Sequence, residues 1–330
     1  MSEILSLVKA LTRTMVVMVG IGFVAVAILA GIYFPYDYDE PTTAVYSEIA
    51  DDAQDFYEKV YSPSETPAED GSDDHKYVRF GQEANQRYGG IQTVENFVDQ
   101  YELAAARVLE VGAGSGQLQD LVDDYTGLDI AASARRYFHK PFVVGSATAL
   151  PFEDNEFDAI WSVWVLEHVP NPEQALREMR RVVKPGGLIL HAPAYYCPPW
   201  AADGYEERPY SDFDMSGRIV KASLIVRANL GYRAAAAYSA RFARRLFFPA
   251  NQPTRFRYSR LDANFEDYWV ADGDAVNSLD PDELMLWHTS RGDECLTCTD
   301  GNADEILLGQ LAITIRVNKS SKSLQSNARQ

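Results

Sequence analysis

A short apolar stretch followed by three closely spaced glycines constrains the fold of this chain more than any other feature. Residues Arg107 to Gly116 read Arg-Val-Leu-Glu-Val-Gly-Ala-Gly-Ser-Gly. Val108, Leu109 and Val111 are typical of a buried strand. The glycines let the backbone turn tightly and approach a ligand closely. The sequence therefore predicts a strand that ends in a nucleotide-binding loop.

The spacing of the glycines argues against a dinucleotide cofactor. That fingerprint requires G-x-G-x-x-G after a strand. Here Gly112 and Gly114 are followed by Gly116, and Gln117 stands where the third glycine of the fingerprint belongs. A dehydrogenase is therefore disfavoured.

The charge of the chain disfavours a nucleic-acid partner. Its 330 residues include 48 acidic and 30 basic side chains, for a formal net charge of -18 at pH 7. Binding to phosphate backbones needs a basic surface, which this composition does not offer. We therefore expect no nucleic acid among the partners.

The three cysteines, Cys197, Cys295 and Cys298, are too few for a disulfide framework. The spacing of Cys295 and Cys298 is that of a zinc knuckle, but no second pair or histidine partner accompanies them. We interpret all three as ordinary thiols in a reducing compartment and expect no metal site.

A run of twenty residues without a charged side chain, Met15 to Phe34, lies near the N-terminus. As a helix it would be about 30 Å long, the thickness of a bilayer core. We expect a single-pass membrane anchor in residues 1–36, with a cleaved signal sequence and a helix buried in a partner as alternatives. Lys9 and Arg13 favour a cytoplasmic N-terminus, but we expect the following domain to face the cytoplasm or an organelle interior that contains its cofactor.

The composition divides the rest of the chain into segments. Residues 37–90 are acidic and Pro/Ser-containing and predict a linker with one short helix, Ala44 to Tyr61. Residues 91–318 form the principal domain, which begins with an amphipathic helix, Ile91 to Ala106. Residues 193–277 break the regular pattern and predict a substrate-covering insertion. The polar residues 319–330 predict a disordered tail.

Strand and helix signals alternate beyond the glycine loop. They predict helices over 118–125, 131–138 and 172–183, and strands over 127–130, 142–145, 157–163 and 188–192. A helix capped by Asp280 and two closing strands, 294–299 and 310–317, follow the insertion. This alternation predicts an α/β fold with a Rossmann-like, doubly wound, seven-stranded and mostly parallel sheet.

An ordered set of motifs resembles the class I S-adenosylmethionine-dependent methyltransferases of the methyltransferase type 11 group. The motifs fall in the order of that family and lie between Ile91 and Pro193. They are Glu110-Val-Gly-Ala-Gly-Ser-Gly116, Gly127-Leu-Asp-Ile130, Ala149-Leu-Pro-Phe152, Phe157-Asp158, Leu166-Glu-His-Val169 and Val183-Lys-Pro-Gly-Gly187.

The resemblance implies S-adenosylmethionine as the cofactor. Asp129 is expected to accept both ribose hydroxyls, although it also suits the N-cap of the following helix. Backbone amides at a helix N-terminus are expected to receive the carboxylate of the methionyl arm. The implied cofactor-binding residues are Glu110, Gly112, Ala113, Gly114, Gly116, Asp129, Ile130, Ser146, Ala147 and Val163.

The sequence departs from the family pattern at Ser146, where an acid usually faces the adenine amine. The missing carboxylate can be replaced by backbone atoms or by Thr148, or else cofactor binding is weaker.

The remaining site predictions concern the acceptor. His168 and His191 follow or end the fourth and fifth strands and are candidate catalytic bases, with polar packing as the alternative. Tyr195, Tyr196 and Trp200 are candidate substrate-binding residues, with loop packing as the alternative. Residues 241–248, which include three arginines, suit a lipid surface or an anionic acceptor, with a solvated helix face as the alternative.

Taken together, these features predict a membrane-anchored methyltransferase that acts on a small-molecule, lipid or lipid-linked acceptor. The alternative is a catalytically inactive methyltransferase-like accessory subunit of a membrane protein complex. Ser146 favours this alternative, whereas the intact glycine loop and Asp129 oppose it.

Overall fold

The structure is a computed structural model. It describes residues 2–33, 43–64, 73–229, 231, 241, 244, 253–265, 272–298 and 312–319. Phe34, which ends the predicted membrane span, lies outside the described residues. The same holds for residues 242, 243 and 245–248 of the arginine-containing segment and for residues 320–330 of the predicted tail.

Helices and strands alternate through the central part of the chain. The α-helices are α1 Ser2–Tyr33, α2 Thr43–Tyr61, α3 Lys76–Arg87, α4 Gly90–Gln100, α5 Pro172–Val182, α6 Met215–Arg227 and α7 Pro281–Thr289. The strands are β1 Arg107–Val111, β2 Asp124–Asp129, β3 Phe142–Val144, β4 Phe157–Val163, β5 Val183–Ala192, β6 Tyr258–Arg260, β7 Asn277–Leu279, β8 Glu294–Cys295 and β9 Ile313–Arg316. Three 3₁₀ helices span Ala132–Tyr137, Leu166–His168 and Tyr210–Asp212.

Seven of these strands form one sheet in the order β3-β2-β1-β4-β5-β9-β8. Strands β1 to β5 pair in parallel, whereas β9 is antiparallel to both β5 and β8. The strand order reverses between β1 and β4, which is the position where ligands bind in open α/β sheets. The predicted seven-stranded, mostly parallel, Rossmann-like sheet is therefore confirmed.

Both faces of the sheet are packed. Leu109, Val111 and Ile160 belong to a large apolar cluster that also contains Trp287 of α7. Residues of the opposite face, such as Val108, pack in a second cluster with α4. Alternate residues of β1 therefore enter different clusters, as expected for a strand with two buried faces.

The helix predicted immediately after the glycine loop is wrong. Residues 118–123 form turns, and β2 already begins at Asp124. The second predicted helix, 131–138, is a 3₁₀ helix, Ala132–Tyr137. Only twelve residues separate β1 from β2, so this connection is at the lower limit for a crossover that contains an α-helix.

Several other element predictions agree with the structure. The fourth strand has the predicted bounds, and α5 ends one residue before its predicted end. Asp280 caps α7, because its side chain accepts a hydrogen bond from the amide of Asp282. These elements could be predicted because the capping residue and the apolar positions visible in the sequence are the ones that make the contacts in the folded chain.

Two helices of the predicted linker pack against the sheet domain. Phe56, Tyr57 and Val60 of α2 are buried in a cluster with Ala131 and Ala134, which follow β2. Helix α3 was not predicted and contributes Val78 to the same cluster. The linker interpretation did not anticipate these contacts because they join segments that are distant in the sequence.

The membrane anchor predicted for Met15 to Phe34 is not supported. The segment lies largely within α1, Ser2–Tyr33. Within the described residues, no helix has both the length and the apolar character needed to cross a bilayer.

The prediction of free thiols is wrong for two of the three cysteines. Cys295 at the end of β8 and Cys298 form a disulfide across a bend, with 5.5 Å between their α-carbons. Cys197 is a free, buried thiol.

Both interpretations of the arginine-containing segment fail for its described residues. Arg241 is 4% exposed and pairs with Asp280 at 2.9 Å, and Arg244 is 5% exposed and pairs with Glu283 at 2.7 Å. These arginines therefore neutralise carboxylates at the start of α7 instead of facing a lipid surface or solvent.

Candidate active site

Two adjoining clefts lie at the carboxyl ends of the parallel strands. The first cleft is lined by Asp129 and Ile130 after β2 and by Ser146 and Ala147 after β3, and it encloses about 880 Å³ of empty space. The second cleft has about 1340 Å³ of empty space and is lined by Glu110, Gly114, Glu167 and Asp274. Gly112, Tyr61, Tyr77, Trp164 and His168 line both. The clefts therefore form one continuous site.

Asp129 joins the glycine loop to the end of β2. Its Oδ2 accepts a hydrogen bond from the amide of Gly114 at 2.8 Å, and its Oδ1 accepts one from Ala131 at 3.0 Å. Burial raises the pKa of Asp129, although these amide donors oppose the shift. Each carboxylate oxygen can accept a second hydrogen bond, so the side chain that lines the first cleft still has the acceptors that a ribose requires.

The amides of the glycine loop are largely engaged within the protein. Gly112 and Ala113 both donate to the carbonyl of Leu128, at 2.8 and 2.9 Å, and Gly116 donates to Ala113 at 2.9 Å. Because turns follow this loop, its amides do not belong to a helix N-terminus. The helix N-terminus expected after the loop is therefore absent from these residues, and the approach of the loop amides to the methionyl arm stays a prediction.

Two positions of the loop favour glycine for two reasons: a positive φ angle and the short distance to a neighbouring side chain. Gly112 has φ +76°, and a β-carbon there would lie 2.2 Å from Val165 Cγ2. Gly114 has φ +48°, and its β-carbon would lie 2.8 Å from the Tyr61 hydroxyl. The positive φ angle and the short distances both disfavour any larger side chain at these positions. Glycine therefore allows the loop to lie beneath α2 and beside the segment after β4.

Ser146 is held by its own turn at the edge of the first cleft. Its Oγ lies 2.8 Å from Thr148 Oγ1 and accepts a hydrogen bond from the Thr148 amide at 3.2 Å. Both residues line the cleft. Two hydroxyl groups therefore stand at the position where the family pattern has one acid.

The turn after β4 presents Glu167 and His168 to the second cleft, and β7 holds this turn from behind. The Val276 amide donates to the carbonyl of Glu167 at 2.9 Å, and Asn277 Nδ2 donates to that of Val169 at 2.7 Å. The position of Glu167 and His168 thus depends on a strand more than a hundred residues away in the sequence.

His168 lies between two buried carboxylates. Its Nδ1 is 3.2 Å from the carbonyl oxygen of Asp274 and 3.4 Å from Asp274 Oδ2, and its Nε2 is 3.7 Å from Glu167 Oε1. The Tyr57 hydroxyl donates to Asp274 Oδ2 at 2.8 Å. Burial alone would lower the pKa of His168, but the neighbouring carboxylates outweigh it and raise that pKa.

The structure brings most of the predicted cofactor residues to the clefts. Asp129, Ile130, Ser146 and Ala147 line the first, Glu110, Ala113, Gly114 and Val163 line the second, and Gly112 lines both. Gly116 lines neither and packs beside Gln119 and Phe138. Their roles toward a cofactor stay predictions.

The predicted acceptor-side residues are placed elsewhere, apart from His168. His191 is fully buried, and its Nε2 lies 3.1 Å from that of His288, which in turn contacts Asp293. Tyr196 contacts Asp280 and Arg241. None of these residues lines either cleft.

The other two aromatic residues of the predicted substrate pocket also lie outside both clefts. Tyr195 packs against the core. Trp200 is 4% exposed and donates to Glu206 at 2.9 Å. Loop packing, the alternative interpretation, describes their positions.

Several residues that line the clefts were missed from the sequence. Tyr57 and Tyr61, one helical turn apart on α2, looked like the apolar face of a linker helix. Asp274 lies in the insertion, without a motif around it. The sequence shows that Glu167 precedes His168, but it does not show that Glu167 lines the cleft, which depends on the tertiary structure.

The residues present suit S-adenosylmethionine. A buried acid at the end of β2 lines the first cleft, the glycine loop lies beside it, and acids line the second cleft. The sheet order and this donor set resemble those of a Rossmann-like α/β domain of the class I methyltransferase type.

Comparisons with known proteins support the same class. Residues 109–191 match the family model described as a methyltransferase domain. The chain is 43% identical over 96 residues to a demethylmenaquinone methyltransferase of Renibacterium salmoninarum, covering 26% of this chain and 40% of that protein. It is 32% identical over 126 residues to a fatty-acid O-methyltransferase of Mycolicibacterium smegmatis, covering 33% and 46%. It is 33% identical over 138 residues to phthiotriol/phenolphthiotriol dimycocerosates methyltransferase 1 of Mycobacterium ulcerans, covering 36% and 51%.

These similarities are confined to part of each protein. The chain spans about half, or less, of the length of the curated relatives it matches. The family match and the relatives support a class I S-adenosylmethionine-dependent methyltransferase, and the match coincides with the strands that carry the glycine loop, Asp129 and the turn after β4.

Proposed function

We propose that this chain binds S-adenosylmethionine across the two clefts and catalyses transfer of its methyl group to a small-molecule acceptor in the second cleft. The observation that carries the proposal is the position of Asp129, whose buried carboxylate lines the first cleft at the end of β2 and also holds the glycine loop through Gly114. The methyltransferase-domain match over the same segment supports it.

The bound cofactor supplies an activated methyl group on a sulfonium. The protein's contribution is then to bind both reactants, align the acceptor and exclude water. Asp129 and the hydroxyls of Ser146 and Thr148 offer acceptors for the nucleoside portion. Tyr57 and Tyr61 cover the clefts from α2 and limit the access of water.

The relatives named above are named as methyltransferases of demethylmenaquinone, of fatty acids and of phthiotriol/phenolphthiotriol dimycocerosates. The second cleft includes the aromatic rings of Tyr77, Phe80, Tyr88 and Trp164 in its lining. We therefore infer an acceptor with an apolar or aromatic portion.

Isothermal titration of the full chain with S-adenosylmethionine tests this function. We expect saturable binding, and we expect Asp129→Asn to weaken it by about tenfold or more, because a charge-assisted hydrogen bond is worth about 1.5 to 3 kcal/mol. Asp124→Asn is the matched control, since this exposed residue begins the same strand and lines neither cleft. Circular dichroism checks that both variants are folded.

Absence of binding by the folded wild-type chain would contradict the proposal. Equal affinities of Asp129→Asn and Asp124→Asn would show that the nucleoside does not contact this carboxylate.

A further inference from the structure

The second cleft is lined by four acidic side chains from three separate segments. Glu110 comes from β1, Glu167 from the turn after β4, and Asp272 and Asp274 from the end of the insertion. Among the described residues that line either cleft, none is a lysine or an arginine, and His168 is the one basic side chain. The site therefore has more acidic than basic side chains.

Glu167 has an unsatisfied carboxylate oxygen at this position. The residue is 0% exposed, and its Oε1 accepts a hydrogen bond from the amide of Ala194 at 2.9 Å. Its Oε2 is buried and has no hydrogen-bond partner. Leaving such an oxygen unpaired costs folding free energy, so a donor supplied by a ligand would stabilise it. The residue lines the second cleft, and a bound acceptor is in position to supply that donor.

Two other acids of the cleft, Glu110 and Asp274, already have hydrogen-bond partners within the protein. Glu110 accepts a hydrogen bond from the Tyr125 hydroxyl, and burial raises its pKa to about 8, so it is mainly protonated at neutral pH. Asp274 accepts from Tyr57 and faces His168. Glu167 therefore remains as the buried carboxylate with an available acceptor.

Aromatic rings line the same cleft. Tyr61, Tyr77 and Trp164 stand at its junction with the first cleft, and it is also lined by Phe80 of α3 and by Tyr88, which follows that helix. Ring faces attract ammonium groups, and they also pack against an apolar body. Carboxylates combined with aromatic rings suit an organic amine better than a carboxylic acid or a phosphate.

We propose that the acceptor is an organic amine, bound as its ammonium ion through Glu167 Oε2, and that the reaction is N-methylation. This deepens the proposed function and rests on it. The ammonium first gives a proton to Glu167. The nitrogen lone pair then forms the N–C bond while the S–C bond breaks, and the electron pair of that bond stays on sulfur as a thioether. The product leaves as the methylated ammonium and the proton passes to solvent, so charge and atoms balance.

The pKa of Glu167 is compatible with that transfer. Burial raises it to about 7, while the nearby His168 opposes the rise. A carboxylate of this pKa binds a cation when ionised and retains a proton better than an exposed glutamate does.

Calorimetric titration with three probes of the same aryl body tests the proposal. The probes are phenethylamine, 2-phenylethanol and phenylacetate, each added to the full chain saturated with S-adenosylhomocysteine, so that no turnover occurs. We expect phenethylamine to bind about tenfold more tightly than 2-phenylethanol, the scale of one charge-assisted hydrogen bond. We expect phenylacetate to bind no more tightly than the alcohol.

Glu167→Gln removes the charge of the carboxylate but keeps the size of the side chain. It therefore distinguishes recognition by charge from recognition by the shape of the cleft. We expect this variant to lose the preference for phenethylamine while its affinity for 2-phenylethanol is unchanged. Glu153→Gln, at an exposed position that lines neither cleft, should retain the preference. Thermal unfolding of both variants checks that the fold is intact.

The outcomes distinguish this proposal from the proposed function. If S-adenosylhomocysteine binds but the alcohol or phenylacetate binds as tightly as the amine, or if none of the three binds, the amine assignment is overturned and the methyltransferase function stands. If Glu167→Gln weakens the amine and the alcohol equally, the carboxylate does not recognise the ammonium. If neither S-adenosylhomocysteine nor S-adenosylmethionine binds, both proposals fail.

Discussion

At the scale of single residues, Glu110 is a buried carboxyl group that keeps its proton to a higher pH than an exposed glutamate does. It is 4% exposed and accepts a hydrogen bond from the Tyr125 hydroxyl. Burial raises its pKa to about 8, from an ordinary value of 4.5. The folded chain therefore holds a proton that the unfolded chain releases at lower pH, and the resulting stabilisation is present below pH 4.5 and lost as the pH rises through 8.

Glu110→Gln should remove this pH dependence, because glutamine cannot ionise. We expect the free energy of unfolding of the variant, relative to wild type, to increase from about pH 5 to about pH 8, with a slope approaching about 1.4 kcal/mol per pH unit at most. Urea unfolding at several pH values measures it. The exposed Glu153→Gln is the control, and parallel pH profiles for wild type and Glu110→Gln would contradict the assignment.

His191 was a candidate catalytic base because of its position near the end of a strand, but the structure buries it. It lies one residue before the end of β5, near the edge of the sheet where ligands bind, but it pairs with Ile313 of β9 and contacts His288 of α7 at 3.1 Å. Burial lowers the pKa of His191, and the neighbouring His288 lowers it further. A neutral, enclosed imidazole of this kind is a packing residue with a polar partner.

At the scale of secondary-structure elements, helix α2 connects the N-terminal region to the site. Glu58 accepts hydrogen bonds from the amides of Ala132 at 2.5 Å and Ser133 at 2.9 Å, at the start of the 3₁₀ helix after β2. The Ser133 hydroxyl donates to the Glu58 carbonyl at 2.9 Å. Partial burial would raise the pKa of Glu58, but the amide donors outweigh it and lower that pKa.

Glu58→Ala should loosen α2 from the sheet domain. Loss of a capping carboxylate costs about 1 kcal/mol, so we expect about fivefold faster hydrogen exchange over residues 43–61. We also expect weaker binding of S-adenosylmethionine, because Tyr57 and Tyr61 on this helix line the clefts. Glu48→Ala, at an exposed position of the same helix, is the control. Unchanged exchange in Glu58→Ala would show that other contacts hold the helix.

At the scale of the whole molecule, the net charge of -18 opposes compact folding. Charges of one sign repel more strongly in the compact state than in the expanded unfolded chain. Salt screens this repulsion, and the Debye length falls from about 30 Å at 0.01 M to about 8 Å at 0.15 M ionic strength.

We therefore expect the midpoint of thermal unfolding to rise with added NaCl, most steeply below about 0.15 M. Differential scanning calorimetry measures the effect. Choline chloride at equal ionic strength should act similarly, because screening does not depend on the identity of the cation. A midpoint that stays constant, or that rises only with one of the two salts, would contradict an effect of net charge.

Local chemistry specifies several parts of this protein without reference to the rest of the chain. The strand before the glycine loop, the acid at the end of β2, the fourth strand, helix α5 and the cap of α7 follow from apolar runs, glycine and capping residues. These signals act over a few residues, so they can be read without knowledge of the remaining chain.

The meeting of distant segments depends on the tertiary structure. The fold has turns in place of the expected helix after the glycine loop, places α2 and α3 beside the clefts, and buries His191 and Arg241 outside both clefts. It also brought Glu167 and Asp274 to one cleft. Such contacts depend on the packing of residues that are far apart in the sequence, and their burial decides whether a charged group is a structural pair or an acceptor available to a ligand.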